Sequence, residues 1–258
     1  MKLGIIGFGN MANAIYENAK ENLSGCYIYD TDQAKKTLIK QNPKQTFTNI
    51  SEIFTFCDVI LFAIKPQQLN NVLSLCPKKT NSLIVSILAG SKISHFQNHF
   101  NSPTPIIRVM PNTPIRVQKG CVVYAPNQFC SANHITNLKC LFANSSYMTE
   151  LKEQYFDTIT ALSGSGPAFF YKIVDAMAQE AQKNGLNQSE AIRLLAHTMI
   201  GAGYMLQKQN PDTLIQEVSS PNGTTQAGLS IFDQLHIDES LQQVIKASIN
   251  RSIQLGKK

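Results

Sequence analysis

Several features are missing from this chain, and each absence removes a class of function. No run of five or more Lys/Arg occurs, although the 258 residues carry a net charge of +6. A positive balance spread so thinly argues against nucleic acid as the partner, and the phosphates of a small cofactor suffice to explain its sign. The cysteines at 26, 57, 76, 121, 130 and 140 form no Cys-x-x-Cys pair. Cys26, Cys57 and Cys121 lie in or beside apolar strand-like runs, where cysteine behaves as a small buried hydrophobe. No export signal accompanies them, because Gly4, Gly7, Gly9 and Asn10 interrupt the apolar N-terminus and no small-residue cleavage site follows. No apolar stretch approaches the roughly 18–20 residues of a membrane span. The expectation is a soluble cytoplasmic protein with reduced thiols, without nucleic acid or membrane as partner.

The usual clusters of chemistry are also lacking. His95 and His99 are four apart, but Phe96-Gln-Asn98 between them brings no catalytic carboxylate; a helix surface, with no metal, is expected there. His197 sits within a helical apolar pattern and reads as a core histidine, while His134 and His236 carry no pattern. Neither a serine–histidine–aspartate order nor a pair of carboxylates stands out.

The N-terminal half alternates between strand and helix. Lys2-Leu-Gly-Ile-Ile-Gly7 is a short apolar run of flat periodicity, as in a strand buried on both faces. It feeds Gly7-Phe-Gly9-Asn-Met-Ala12, a G-x-G-x-x-A fingerprint, and a helical pattern through Ile15, Tyr16 and Ala19. A second strand, Cys26-Tyr-Ile-Tyr29, ends at Asp30, an acid about 20 residues on. In this context Gly7 permits the tight turn, Gly9 lets a pyrophosphate approach the backbone, and Ala12 allows close helix–strand packing. Further strands are expected at Asp58–Ala63, Leu83–Ile87, Pro105–Met110 and Cys121–Ala125, which makes a doubly wound sheet. Ligands bind such sheets beyond the carboxyl ends of the strands. The cofactor rim should therefore include Ala63-Ile64-Lys65-Pro66, Leu88-Ala89-Gly90 and the rigid turn around Asn112. Asp30 favours a free ribose hydroxyl over a 2′-phosphate; Thr31, Asp32 and Gln33 supply no arginine to reverse this, but Lys35 and Lys36 lie close by. Dual use of NADPH and NADH, with NADH competent, is the expectation.

From Asp157 the period changes. Phe169, Phe170, Ile173, Val174, Met177 and Ala181 recur at helical spacing, and Asn184-Gly185 closes that helix. Further helices are expected at about Ser189–Met205, Pro211–Val218 and Glu239–Leu255, with no strand pattern. The expected organisation is α/β: a Rossmann-type domain over 1–155, then an all-α bundle over 156–258. The bundle is rich in apolar positions for its size, and Gly201-Ala-Gly203 invites close helix contact, so part of its surface should be covered by a second subunit. Two polar clusters in this half lead into helices, Thr160-Ala-Leu-Ser-Gly-Ser-Gly-Pro167 and Ser219-Ser-Pro-Asn-Gly-Thr-Thr-Gln-Ala-Gly228. A helix start with free N–H groups favours an anion, so a small carboxylate substrate is expected.

Together these residues resemble the pyrroline-5-carboxylate reductases. The resemblance runs through nearly the whole chain: Gly7–Ala12, Ala63-Ile-Lys-Pro-Gln67, Arg108-Val-Met-Pro-Asn-Thr-Pro114, Asp157–Ala168, Val218–Gly228 and the Arg251–Gly256 tail. Asn222 departs from it, standing where the family usually has glycine; asparagine tolerates the left-handed conformation better than most residues. The resemblance implies reduction of 1-pyrroline-5-carboxylate to L-proline with NADPH or NADH, and a domain-swapped dimer of the helical halves, often assembled into a decamer. It implies cofactor contacts at Gly7, Phe8, Gly9, Asn10, Met11, Asp30, Asn49, Ala63, Ile64, Lys65, Pro66, Ala89, Gly90 and Asn112. It implies that Thr225 stands beside the ring nitrogen and that Ser220 with the amides of Gly223 and Thr224 cradles the carboxylate. Thr160 and Glu153 would line the substrate pocket. Two alternatives stay open. One is a β-hydroxyacid dehydrogenase-like enzyme, which normally carries a catalytic lysine on the helix where Lys172 and Lys183 lie, although the Ser-Gly-Ser-Gly-Pro pattern beside it is wrong for that family. The other is a non-catalytic nucleotide sensor, against which the intact Ser219–Gly228 turn argues.

Overall fold

The chain, seen as a computed structural model, is described over residues 1–32, 35, 39 and 44–257; Gln33 and Lys36 lie outside the described residues. It divides into two compact units, Met1–Ser165 with Ser248–Lys258, and Gly166–Ala247.

In the first unit, β1 (Lys2–Ile6), β2 (Gly25–Tyr29), β3 (Gln45–Phe47), β4 (Val59–Phe62), β5 (Leu83–Ser86), β6 (Ile106–Pro111), β7 (Cys121–Pro126) and β8 (Tyr147–Glu150) form one sheet. Its order is β3-β2-β1-β4-β5-β6-β7-β8. Neighbours are parallel except β6 and β7, which run antiparallel. β1, β4, β5 and β6 are almost wholly buried, because helices cover both faces. On one face α1 (Asn10–Ala19) and α5 (Ala132–Leu141) pack Ile15, Tyr16, Leu138 and Leu141 against Leu3, Ile5 and Val122. On the other, α2 (Ile50–Phe56), α3 (Leu69–Leu73) and α4 (Ile93–Gln97) bring Ile53, Val72 and Phe96 onto Ile6, Phe62 and Ile84. The strand order reverses between β2-β1 and β4, which places the ligand crevice beside β1.

β8 is a strand that no alternation in the sequence marks. Its residues are at most half-buried, so neither face imposes a pattern.

The cluster at Thr160 is also unlike its expectation. The segment does not open a helix with bare N–H groups. The short α6 (Phe156–Ile159) runs into a π-helical turn over Thr160–Gly164, where Ser165 N donates to Thr160 O (2.8 Å), and α7 (Gly166–Lys183) follows at once. Gly164 lies under Met110, and Pro167 is the second residue of α7, directly after the widened turn. The helical path is thus nearly continuous, and its irregularity is one widened turn of a kind common at functional sites.

The second unit holds α7, α8 (Gln188–Leu206), α9 (Pro211–Val218), α10 (Thr224–Gln234) and the first part of α11 (Ile237–Leu255), whose last turns belong to the first unit. Gly185, at φ +90°, stops α7. Asn187 and Asn210 cap α8 and α9 through their side-chain oxygens. The apolar residues of these helices stay largely uncovered within the chain: Ile200, Leu206, Val218 and Leu235 are each more than half exposed. His197, expected in a core, is exposed for the same reason. His99 departs the other way: it follows α4, is buried, and is held between Lys78 Nζ (3.1 Å) and Pro77 O (3.3 Å).

Candidate active site

The N-terminal fingerprint folds as its glycines require. Gly7 adopts φ +89°, and its N–H donates to Tyr29 O (2.8 Å), tying the turn to β2. A Cβ on Gly7 would strike Ile64 and the Ala63 carbonyl, whereas one on Gly9 would meet nothing. The backbone at Gly9 therefore faces open space that a ligand can enter. Gly9 also precedes α1, whose first turn has no side-chain cap and no acidic residue. Uncapped N–H groups at the positive end of a helix dipole suit a pyrophosphate. Ala12, 1 % exposed, packs into the core behind them.

A cleft of about 310 Å³ opens beside this turn, lined by Gly7, Phe8, Gly9, Asp30, Ala63, Ile64 and Lys65 of the expected set, together with Tyr29, Thr31, Asp32, Lys35 and Gln68. Asn10 and Met11 form the first turn of α1, and Pro66 begins the 3₁₀ turn after Lys65. Asn49 is exposed and caps α2, its Oδ1 accepting from Glu52 N (2.9 Å). Ala89 and Gly90 follow β5, and Asn112 follows β6. Asn112 is buried, and its Oδ1 accepts from Cys121 N (2.8 Å), so its carbonyl holds the β6–β7 connection. A larger polar hollow of about 760 Å³ at Met1, Asp58, Lys79 and His134 lies at the amino-terminal edge of the sheet and contains none of these groups.

Asp30 is bound more tightly than its strand-end position suggested. Its Oδ2 accepts from Phe8 N (2.7 Å) and Lys35 Nζ (2.7 Å), and its Oδ1 accepts from Asp32 N (2.9 Å). Burial pushes its carboxyl up, but the bonds from Lys35, Asp32 and Phe8 outweigh it and hold the group below the usual carboxylate range. Lys35 therefore neutralises the acid at the mouth of the cleft. The sequence placed Lys35 close to the acid; the structure pairs the two directly, with Lys35 Nζ 2.7 Å from Asp30 Oδ2.

Glu153 and Arg108 meet across 45 residues of chain. Glu153 Oε1 accepts from Ile93 N (2.7 Å), the first residue of α4, and from Arg108 Nη1 (3.3 Å). Arg108 is 3 % exposed, and its guanidinium lies 4.7 Å from the centre of the Phe156 ring. Its Nε and Nη2 have no partner among the described residues. Burial pulls Arg108 below its ordinary value, while Glu153 and Asp157 push it back up; an arginine stays charged in such a site. Thr160 Oγ1 donates to Phe156 O (2.7 Å).

In the second unit, Ser219–Gly228 forms a turn leading into α10. Asn222 takes φ +58°, so asparagine supplies the left-handed residue that glycine would, and its N–H donates to Gln226 Oε1 (2.7 Å). Gly223 precedes α10 without a side-chain cap, its N–H bonded to Ser220 O (3.0 Å), and a Cβ there would collide with Ser220. Ser220 and Thr224 are exposed and Thr225 is half-buried. Lys172 and Lys183 are exposed on α7, beside Asp175 (3.9 Å) and Glu180 (2.8 Å). No group of three or more metal-ligating side chains occurs among the described residues. Among the described residues no helix is long and apolar enough to cross a membrane.

Comparison with known proteins accounts for both units. Residues 153–255 match the family described as pyrroline-5-carboxylate reductase dimerisation, and residues 2–90 match NADP oxidoreductase coenzyme F420-dependent. Pyrroline-5-carboxylate reductase 2 of Bacillus subtilis is 32 % identical over 98 % of this chain and 95 % of its own. The solved 1-pyrroline-5-carboxylate reductase of Streptococcus pyogenes superposes with a TM-score of 0.91 at 26 % identity, over 98 % of both chains. A Plasmodium falciparum pyrroline carboxylate reductase with NADP bound gives 0.86 at 25 % identity, over 99 % of this chain and 98 % of the other. With a relative of this identity along nearly its full length, the chain belongs to the pyrroline-5-carboxylate reductase family.

Proposed function

We propose that the chain reduces 1-pyrroline-5-carboxylate to L-proline, using a reduced nicotinamide dinucleotide and working as a homodimer through its helical unit. The observation that carries this reading is that both halves of such a reductase are present. A glycine-lined cleft with an uncapped helix behind it occupies the first unit, and the second keeps the Ser219–Thr225 turn within the matched dimerisation family. The bound nicotinamide supplies the hydride that reduces the imine carbon. The first turn of α1 and the Gly9 backbone take the pyrophosphate. Ser220 and the amide of Thr224 take the substrate carboxylate, whereas the Gly223 N–H, expected to share in that cradle, is already given to Ser220 O within the turn (3.0 Å). The Thr225 hydroxyl hydrogen-bonds the ring nitrogen as it becomes an amine. Thr225 is free for that role: no partner holds its hydroxyl among the described residues.

For the cofactor, the Asp30–Lys35 pair supports dual use. Lys35 can meet a 2′-phosphate, and Asp30 Oδ1 keeps a lone pair for a ribose hydroxyl. Lys35→Ala should lower kcat/KM for NADPH about tenfold, the worth of one exposed phosphate contact, and leave NADH nearly unchanged. The reading that Lys172 or Lys183 is a catalytic lysine gains nothing from the structure, since each lies among solvent-exposed charges of α7. A spectrophotometric assay separates the readings. NAD(P)H oxidation should depend on pyrroline-5-carboxylate, and no oxidation with that substrate, against turnover of a β-hydroxyacid, would overturn the proposal. Light scattering tests the dimer; a single decameric species remains compatible with it, and a monodisperse active monomer does not.

A further inference from the structure

We infer that the last turn of α11 is a positioning element for the cofactor rim, with Ser252 and Gly256 setting the conformation of the Ala89–Gly90 peptide. This rests on the reductase reading above, since it assumes that the rim of the sheet receives a nicotinamide dinucleotide. The loop after β5 lies beyond the carboxyl end of a central strand, where doubly wound sheets take ligands. Gly90 stands at φ +74°, a conformation that side chains rarely adopt. Its back is filled by main chain: a Cβ on Gly90 would lie 2.7 Å from both Gly256 N and Ser252 O, and 3.0 Å from Leu255 Cβ. From the other direction, a Cβ on Gly256 would run into the Gly90 carbonyl oxygen. Two glycines thus face each other with no side chain between them. Neither neighbour is the yielding tip of a side chain, so a methyl group on either one must move a backbone.

The helix end is itself fastened from behind. Ser252, 2 % exposed, donates its hydroxyl to Asp157 Oδ1 (2.6 Å), and one turn earlier Ser248 Oγ donates to Ser165 Oγ (3.3 Å). The far side of the same loop is held by Glu153, whose carboxylate accepts from Ile93 N (2.7 Å). The rim peptide therefore sits between two anchors, Glu153 at Ile93 and the α11 terminus at Gly90. The wall that α11 provides at Gly90 is what a glycine at 256 allows.

The test is Gly256→Ala in the full-length protein, with Lys257→Ala as the control because that side chain is exposed. NADPH binding is read by titrating nicotinamide fluorescence, and KM for pyrroline-5-carboxylate is measured at saturating NADPH. Gly256→Ala should weaken NADPH binding about tenfold or more, as small displacements at a binding wall do, with substrate KM changed by less than about twofold. A merely structural role would lower Tm and leave this split absent. Ser252→Ala, which keeps the close backbone approach but frees the helix end from Asp157, should weaken NADPH binding by about threefold and decides the matter if Gly256→Ala does not fold. Folded variants that bind NADPH as the unmodified protein does would overturn the inference alone. An unmodified protein that binds no nicotinamide dinucleotide would overturn the reductase reading and the inference together.

Discussion

Glu153→Ala separates two jobs for one carboxylate. If Glu153 lines the substrate pocket, its loss should raise KM for pyrroline-5-carboxylate and leave stability alone. The geometry assigns it to Arg108 and to the start of α4. Losing the acceptor for Ile93 N at a helix terminus costs about 1 kcal/mol. Stripping a buried guanidinium of its counter-ion costs about 3–5 kcal/mol when both partners are fully buried. The side chain of Glu153 is 31 % exposed, and Asp157 remains near Arg108, so about 2 kcal/mol is the fair share here. The sum, about 3 kcal/mol, corresponds to a fall in Tm of about 6–12 °C for a folding unit of this size.

The conservative and double variants sharpen the test. Glu153→Gln keeps an oxygen for Ile93 N and should lose only the charge term, about 2 kcal/mol or about 4–8 °C. Adding Arg108→Met to Glu153→Gln removes the charge left uncompensated and should recover most of that loss, a non-additivity expected of direct partners. Scanning calorimetry at fixed protein concentration reads all three, the concentration being held because a dimer's Tm depends on it. A Tm for Glu153→Ala within about 2 °C of the unmodified protein, with substrate KM raised, would refute the structural assignment and return Glu153 to the pocket.

Three further outcomes follow from other contacts. Thr225→Ala should lower kcat/KM for pyrroline-5-carboxylate by about 10- to 100-fold, the worth of one positioned donor, with NADPH binding intact; an equal, modest loss in Thr224→Ala would show that both act only in the turn. Ala202→Glu, on an exposed and small-residue part of α8, should shift the protein toward monomer and lower activity together, and an unchanged mass by light scattering would remove that surface from the interface. Asp30 has a folded-state pKa below its unfolded value, so its contribution is present above the unfolded pKa, near 3.9, and is lost as pH falls through the folded one; Asp30→Asn should flatten the acid limb of the Tm–pH curve, and coincident curves would show that the carboxylate contributes nothing.

The sequence showed most where chemistry is local. The turn at Gly7 and Gly9 needs residues that are adjacent in the chain, and the helix stop at Gly185 and the turn at Asn222 depend on one backbone angle each. Strands buried on both faces announced themselves as flat apolar runs. What stayed hidden needed distance or context. Arg108 and Glu153 carry no pattern that joins them, and β8 lacks an alternation because neither of its faces is fully covered. His197 read as a core residue because its neighbours are apolar, yet those neighbours wait for a surface that this chain does not itself supply. His99 read as a surface residue because its spacing from His95 matches a helix, and that helix had already ended.

The serines of α11 show why such a long-range arrangement escapes a periodicity argument. An amphipathic helix is expected to present large apolar residues to whatever it packs against. At its C-terminal end α11 presents Ser248 and Ser252, and Gly256 just beyond it continues the four-residue spacing, a stripe that hydropathy reads as solvent-facing. Ser252 is nevertheless among the most buried residues of the protein. Small residues at that spacing let the helix backbone approach the chain it meets, and the hydroxyls replace the apolar contacts with hydrogen bonds to Asp157 and Ser165. A leucine at 252 would leave Asp157 without this donor and would have to fit where a serine is already 2 % exposed. The polarity of the stripe is thus a consequence of close packing, and the residues that look most suited to water are the ones that fix the rim of the cofactor site.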